Sequence, residues 1–122
     1  MELEILEQSP NVTRLALKGR LDTAGVDKVE TRLNAALARD KHGIVDLSGV
    51  TFLASMGIRM LISAAKMQSR RGKQLILIAP GPLVDQALKH ASLDEIIPVA
   101  RDLAGAMALI GSQPPPERSA DA

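Results

Sequence analysis

Apolar and polar positions alternate at the start of the chain and then change period. Leu3-Glu4-Ile5-Leu6-Glu7 reads as a first strand, and Ser9-Pro10-Asn11 carries turn chemistry. Val12 to Lys18 follows, with Thr13, Leu15 and Leu17 alternating against Arg14, Ala16 and Lys18. That pattern predicts a half-buried strand, and the short turn makes the pair a hairpin. Gly19-Arg20-Leu21-Asp22-Thr23 ends the strand. Asp22 or Thr23 can cap a helix in which Val26, Val29, Leu33, Ala36 and Leu37 keep the helical period.

The centre of the chain, Gly43 to Met67, repeats this change of period. Ile44-Val45-Asp46-Leu47 is a buried strand, Ser48-Gly49 punctuates it, and Val50 to Leu53 leads into Ala54-Ser55-Met56-Gly57. Ile58, Leu61, Ile62 and Ala65 then fall at i, i+3, i+4 and i+7, one face of a helix. Arg70, Arg71 and Gly72 close it, since basic residues complement the dipole of a last turn and glycine suits the position beyond it. Gln74 to Ile78 is continuously apolar, so it predicts a central strand covered on both faces. After Pro80-Gly81-Pro82, a third helix carries Val84, Ala87, Leu88 and Ala91, and Ile96 to Val99 forms a last strand. Pro98 cannot donate to a ladder and puts that strand at an edge. Asp102 caps a final helix with Leu103, Ala106, Met107 and Ile110, stopped by Gly111.

The element order is ββαβαβαβα, an α/β fold in one domain over residues 1–111 with a mixed sheet. Residues 112–122 (SQPPPERSADA) lack periodicity and are expected to be a disordered tail. Open α/β sheets bind at the carboxyl ends of their parallel strands, and Ser48 to Met56 is expected to be such a loop.

Composition removes several function classes. A chain of 122 residues holds one modest core. A net charge of +1 and a single aromatic residue offer nucleic acid neither a field nor a stacking platform. No apolar run reaches membrane-spanning length and the start has no signal core, so no membrane insertion is expected. The absence of cysteine fits a reducing compartment, with the cytoplasm as the default. There is no phosphate-cradling glycine loop, and Leu53 replaces the first glycine of a nucleophile elbow. His42 and His90 lie apart from each other and from Ser55, so neither a hydrolase triad nor a metal site follows. No enzyme activity and no cofactor are expected.

Ser55 is the residue with the most chemistry to offer. As an N-cap it would accept from first-turn N–H groups. Alternatively, a hydroxyl at an exposed strand–helix junction is a place to attach or bind an anion, which the helix dipole and free N–H groups favour. Met56, Met60 and Met67 fall almost opposite the Ile58/Leu61/Ile62/Ala65 face, beside Arg59 and Arg70, and suggest a partner surface next to Ser55. A second cover within the fold, or a homodimer, would bury the same stripe.

DLSGVTFLASMGIRML, residues 46–61, resembles the signature of STAS domains, the anti-sigma factor antagonist family of bacteria, and GRLDTA resembles the family's Gly-x-Leu-Asp-x segment. In that family a strand ending in Asp-Leu-Ser leads to an Asp-Ser-Ser/Thr-Gly-Leu/Ile helix start, whose first serine a partner kinase phosphorylates. The matching residues here are Ser55, Gly57 and Ile58. Ala54 replaces the usual aspartate. Met56 replaces a second hydroxyl and leaves Ser55 as the one candidate. The resemblance implies a phosphoprotein of transcription regulation that works by protein–protein interaction. Its partners would be an anti-sigma factor serine kinase and a phosphoserine phosphatase. Asp22, Ser48, Ser55, Met56, Gly57, Arg59, Met60 and Met67 would form the partner surface. Two alternatives stay open: a constitutive STAS subunit of a signalling scaffold or lipid-transport complex, and a small-ligand or nucleotide-binding domain using the Ser48–Met56 loop.

Overall fold

The computed structural model describes residues 1–112. The expected hairpin is β1 (Glu2–Gln8) and β2 (Val12–Leu21), closed at Ser9, whose backbone N–H donates to the Val12 carbonyl at 2.9 Å. The chain continues as α1 (Thr23–Leu37), β3 (His42–Leu53), α2 (Ser55–Arg70), β4 (Leu75–Ile78) and α3 (Pro82–His90). A single 3₁₀ turn over Leu93–Glu95 precedes β5 (Val99–Ala100) and α4 (Leu103–Ser112). The five strands lie side by side in chain order. β1 runs antiparallel to β2 and every other neighbour pair is parallel. The chain is thus a single α/β domain with a mixed sheet, as the order of periods implied.

Alternation along the strands divides the apolar residues into two layers. Leu15, Leu17, Leu21, Val45, Leu47, Leu75 and Leu77 pack on one sheet face with α1, α2 and α3. Val12, Ile44, Ile76 and Ile78 point the other way, against Ala106 of α4. β4 therefore supplies side chains to both layers and is fully buried, consistent with its unbroken apolar run. Asp22 caps α1 and Asp102 caps α4, each carboxylate accepting from a glycine N–H at 2.9 Å. α2 ends in a Schellman motif. Gly72 takes φ +74°, its N–H bonds to the Ser69 carbonyl, and the Lys73 N–H reaches the Gln68 carbonyl.

Several boundaries differ from expectation. β2 does not stop at Gly19. It continues to Leu21 in irregular register beside β3, with Gly19 absorbing the distortion at φ +108°. Ser48-Gly49 likewise does not break β3, which runs unbroken to Leu53 because β2 stays alongside as its partner. β5 holds only Val99 and Ala100; Ile97 is buried in the layer of α3 while Ile96 is exposed, so neither joins the sheet. α4 passes Gly111 and ends at Ser112, and the rest of the expected tail lies outside the described residues.

Candidate functional site

The carboxyl ends of β2 and β3 lie next to each other and run well past β4. Leu21 pairs with Leu53, whereas β4 already ends opposite Asp46. The Ala54 N–H donates to the Leu21 carbonyl at 3.1 Å, tying the entry of α2 to the exit of β2. Gly57 tightens that junction. A Cβ there would lie 2.7 Å from both the Leu21 carbonyl oxygen and its Cγ, so only glycine lets the first turn of α2 seat against β2. Asp22, one residue past Leu21, and Ser55, two past Leu53, are thereby held at the same end of two neighbouring strands.

Ser55 is not the N-cap. Ala54 takes that position with extended φ −108° and ψ 176°, and its carbonyl receives the first helical bond, from Ile58 at 3.1 Å. Ser55 is already helical, at the position after the cap, and it is exposed. Alanine offers no side-chain acceptor, so the first turn of α2 keeps its N–H groups uncapped by any side chain. The arrangement pairs a free hydroxyl with a dipole end suited to negative charge.

Beside it, Asp22 has two partners. It accepts from the Gly25 N–H at 2.9 Å and pairs with Arg20 at 3.3 Å. The Gly25 bond first, and then Arg20, hold its carboxyl below the usual aspartate range, so it is ionised. The Arg20 guanidinium also stacks over Phe52, 4.3 Å from the ring centroid. Phe52 is 41% exposed and Met56 39%, so two large apolar side chains surround the junction in solvent. Arg20 and Phe52 were not among the expected site residues. Strand alternation carried the signal: with Leu53 facing the core, Phe52 must face out.

The other expected site residues separate. Ser48 lies in the middle of β3, its N–H bonded to the Asp46 carboxylate at 2.8 Å, and is five residues of extended chain short of Leu53, roughly 16 Å. It does not belong to the junction, and Ser48–Met56 is not a loop. Met60 is 2% exposed and sits in the core. Met67 is half-buried in the seam between α1 and α2, facing Asn34, Leu37 and Arg71. The methionine stripe is therefore not an outer surface; only Met56 of the three is exposed. The buried side of α2 is Gly57, Met60, Leu61, Ala64 and Gln68, rotated by about 90° from the Ile58/Leu61/Ile62/Ala65 face at 100° per residue. Close approach at Gly57 and Ala64 sets that rotation, leaving Ile58, Ile62 and Ala65 at the margin. Arg59 is exposed, one turn down from Ser55.

His42 opens β3 at the opposite end, roughly 35 Å from Ser55 along the strand, and its Nδ1 accepts the Gln74 N–H at 3.1 Å. A groove of about 560 Å³ near Asp85, Asp94 and Arg101 includes none of residues 48–56. Among the described residues no cluster of three acids or histidines could hold a metal, and no helix is long and apolar enough to cross a membrane.

The STAS domain family matches residues 5–106. Among solved structures, an anti-sigma factor antagonist from Mycobacterium paratuberculosis superposes with a TM-score of 0.79 at 22% identity, over 91% of this chain and 96% of that one. The phosphorylated form of the Bacillus cell fate determinant SpoIIAA gives a TM-score of 0.66 at 14% identity, covering 88% and 99%. High affinity sulfate transporter 2 of Stylosanthes hamata is 33% identical over 72 residues, 59% of this chain but only 11% of the transporter. Length of match, strand order and the glycine-locked junction agree: the chain belongs to the STAS domain family.

Proposed function

We propose that the protein is an anti-sigma factor antagonist, a cytoplasmic regulator that works by binding a partner protein and is switched by phosphorylation of Ser55. The observation that carries this reading is the exposed, non-capping hydroxyl at the start of α2, beside an N-terminus that no side chain neutralises. A serine needed as a cap would be poorly placed for modification; this one has no such duty. The partner kinase would deliver the γ-phosphoryl group of a nucleoside triphosphate. The Ser55 Oγ–P bond forms as the bond to the leaving diphosphate breaks, and the hydroxyl proton passes to a base of the kinase. Hydrolysis by a phosphatase would restore the hydroxyl and release inorganic phosphate.

Phosphate adds about −1.5 to −2 charges and three acceptor oxygens at neutral pH. At a helix N-terminus that charge is locally favourable, so the domain would stay folded. The interface would bear the penalty, because a bulky anion beside Phe52 and Met56 must be desolvated against a surface shaped around a hydroxyl. Affinity purification of the protein from its own cells, with mass spectrometry of the Ser55 peptide, tests the reading. A co-purifying kinase and phosphoserine at Ser55 are expected; recovery with transporter subunits and unmodified Ser55 would overturn it. The sulfate transporter likeness makes that second outcome, a constitutive interaction subunit, the competing reading.

A further inference from the structure

α2 turns a row of cations away from the sheet, and no acid among the described residues pairs with them. The helix holds Arg59, Lys66 and Arg70 and no Asp or Glu. With Ser55 and Ser63 these residues fall within an arc of about 80°, at 100° per residue. All five are exposed, and the arc lies opposite the buried Gly57, Met60, Leu61, Ala64 and Gln68. Among the described residues the four ion pairs engage Arg14, Lys18, Arg20 and Lys89, and none involves a cation of α2. α1 packs beside α2 and carries Asp27 and Glu30, yet neither reaches ion-pair distance. A chain with a net charge of only +1 thus concentrates on one ridge three charges that no described acid pairs with, over about 22 Å from Ser55 to Arg70. Lys66 and Arg70 are four residues apart, a spacing at which like charges weaken a helix slightly. Arg70 complements the dipole of the last turn, but Arg59 and Lys66 serve no such purpose, and the field of the row is directed outward.

We infer that this ridge docks a carboxylate-bearing helix of the partner protein, with Ser55 at the head of the contact; the inference rests on the proposed function and names the partner's chemistry. A single straight row of charge matches one face of an acidic helix. Three cations fall short of the roughly four to eight found in clusters that hold a protein on anionic lipid. Ser55 and Arg59 are four residues apart, so a phosphate on Ser55 stands within reach of the Arg59 guanidinium. Phosphorylation would engage Arg59 internally and cancel most of the ridge's charge. It would also set an anion against the partner's carboxylates. The three effects act together to release the partner.

The test uses the full chain labelled with ¹⁵N and titrated with a helical peptide bearing glutamates at i, i+4 and i+7. Amide shifts confined to residues 55–70 are expected, with affinity falling about tenfold as salt rises from low to physiological strength. The Arg59→Glu/Lys66→Glu variant, with its fold checked by its own spectrum, should lose the shifts. No binding, shifts mapping elsewhere, or binding that survives the double substitution would overturn the inference. Tighter binding to phosphatidylserine vesicles or duplex DNA than to the peptide would also overturn it. Because the peptide titration needs neither kinase nor native partner, it can fail while phosphorylation of Ser55 stands, and succeed while that fails.

Discussion

Gly57 is where the fold and the candidate site meet in one residue. Its missing Cβ lets α2 approach the Leu21 carbonyl, and the same approach orients Ser55. Gly57→Ala should therefore cost about 1–3 kcal/mol, as overpacking typically does, read as a lower denaturation midpoint. An unchanged midpoint would mean the junction can shift at little cost. Asp22 makes a separate prediction. Its carboxyl is held below the ordinary value chiefly by the Gly25 N–H bond, so the native state binds fewer protons than the unfolded chain in the acid range. That contribution is present above pH 3.8 and is lost as pH falls through the lower folded value. Asp22→Asn should flatten the acid limb of the stability curve. His42 behaves in the same sense at higher pH. Burial, and then the charge of Lys73, lower its pKa, and protonation would also remove the acceptor for the Gln74 N–H. Its contribution is full above pH 6.5 and declines as pH falls through the depressed folded value. Thermal melts of His42→Gln should lose that slope.

α2 tests the account at the scale of an element. Ala54 has the extended backbone of an N-cap and nothing to cap with. Ala54→Asp should raise stability by about 0.5–2 kcal/mol, the usual worth of a cap, measured by denaturant unfolding. Met60→Glu would bury a charge in the core and should prevent folding, whereas Met56→Glu, with Met56 in solvent, should leave the melt unchanged. The contrast between these methionines shows what periodicity could and could not reveal. Spacing correctly placed a helix after Leu53, because Ile58, Leu61, Ile62 and Ala65 all lie on or beside its inner side. Spacing did not give the rotation of that helix, because hydrophobic weight favoured the isoleucines. The contact was decided by small Gly57 and Ala64, and by Gln68, buried because its amide nitrogen donates to the Lys41 carbonyl at 2.8 Å. Ser48-Gly49 reads as part of a loop for a related reason. Ser-Gly is turn chemistry, but here a parallel neighbour held the strand through it.

Across the whole molecule, the element order, a β4 covered on both faces and the Asp102 cap were legible, and Asp22 was one of two candidate caps for α1, since each follows from local pattern. The long overhang of β2 and β3 beyond β4 was not, because it depends on register between distant segments. That overhang brings Arg20, Asp22, Phe52 and Ser55 to one end of the domain, where the proposed phosphate would change the surface and leave the core as it is. The central claim is that Ser55 switches binding at this end. Titration calorimetry of the purified partner against four forms of the chain tests it most directly: wild type, Ser55→Ala, Ser55→Asp and the enzymatically phosphorylated protein. The account predicts comparable binding by wild type and the alanine variant, weaker binding by aspartate, and the greatest loss on phosphorylation, with all four melting near the same temperature. Equal affinity for all four forms would contradict it.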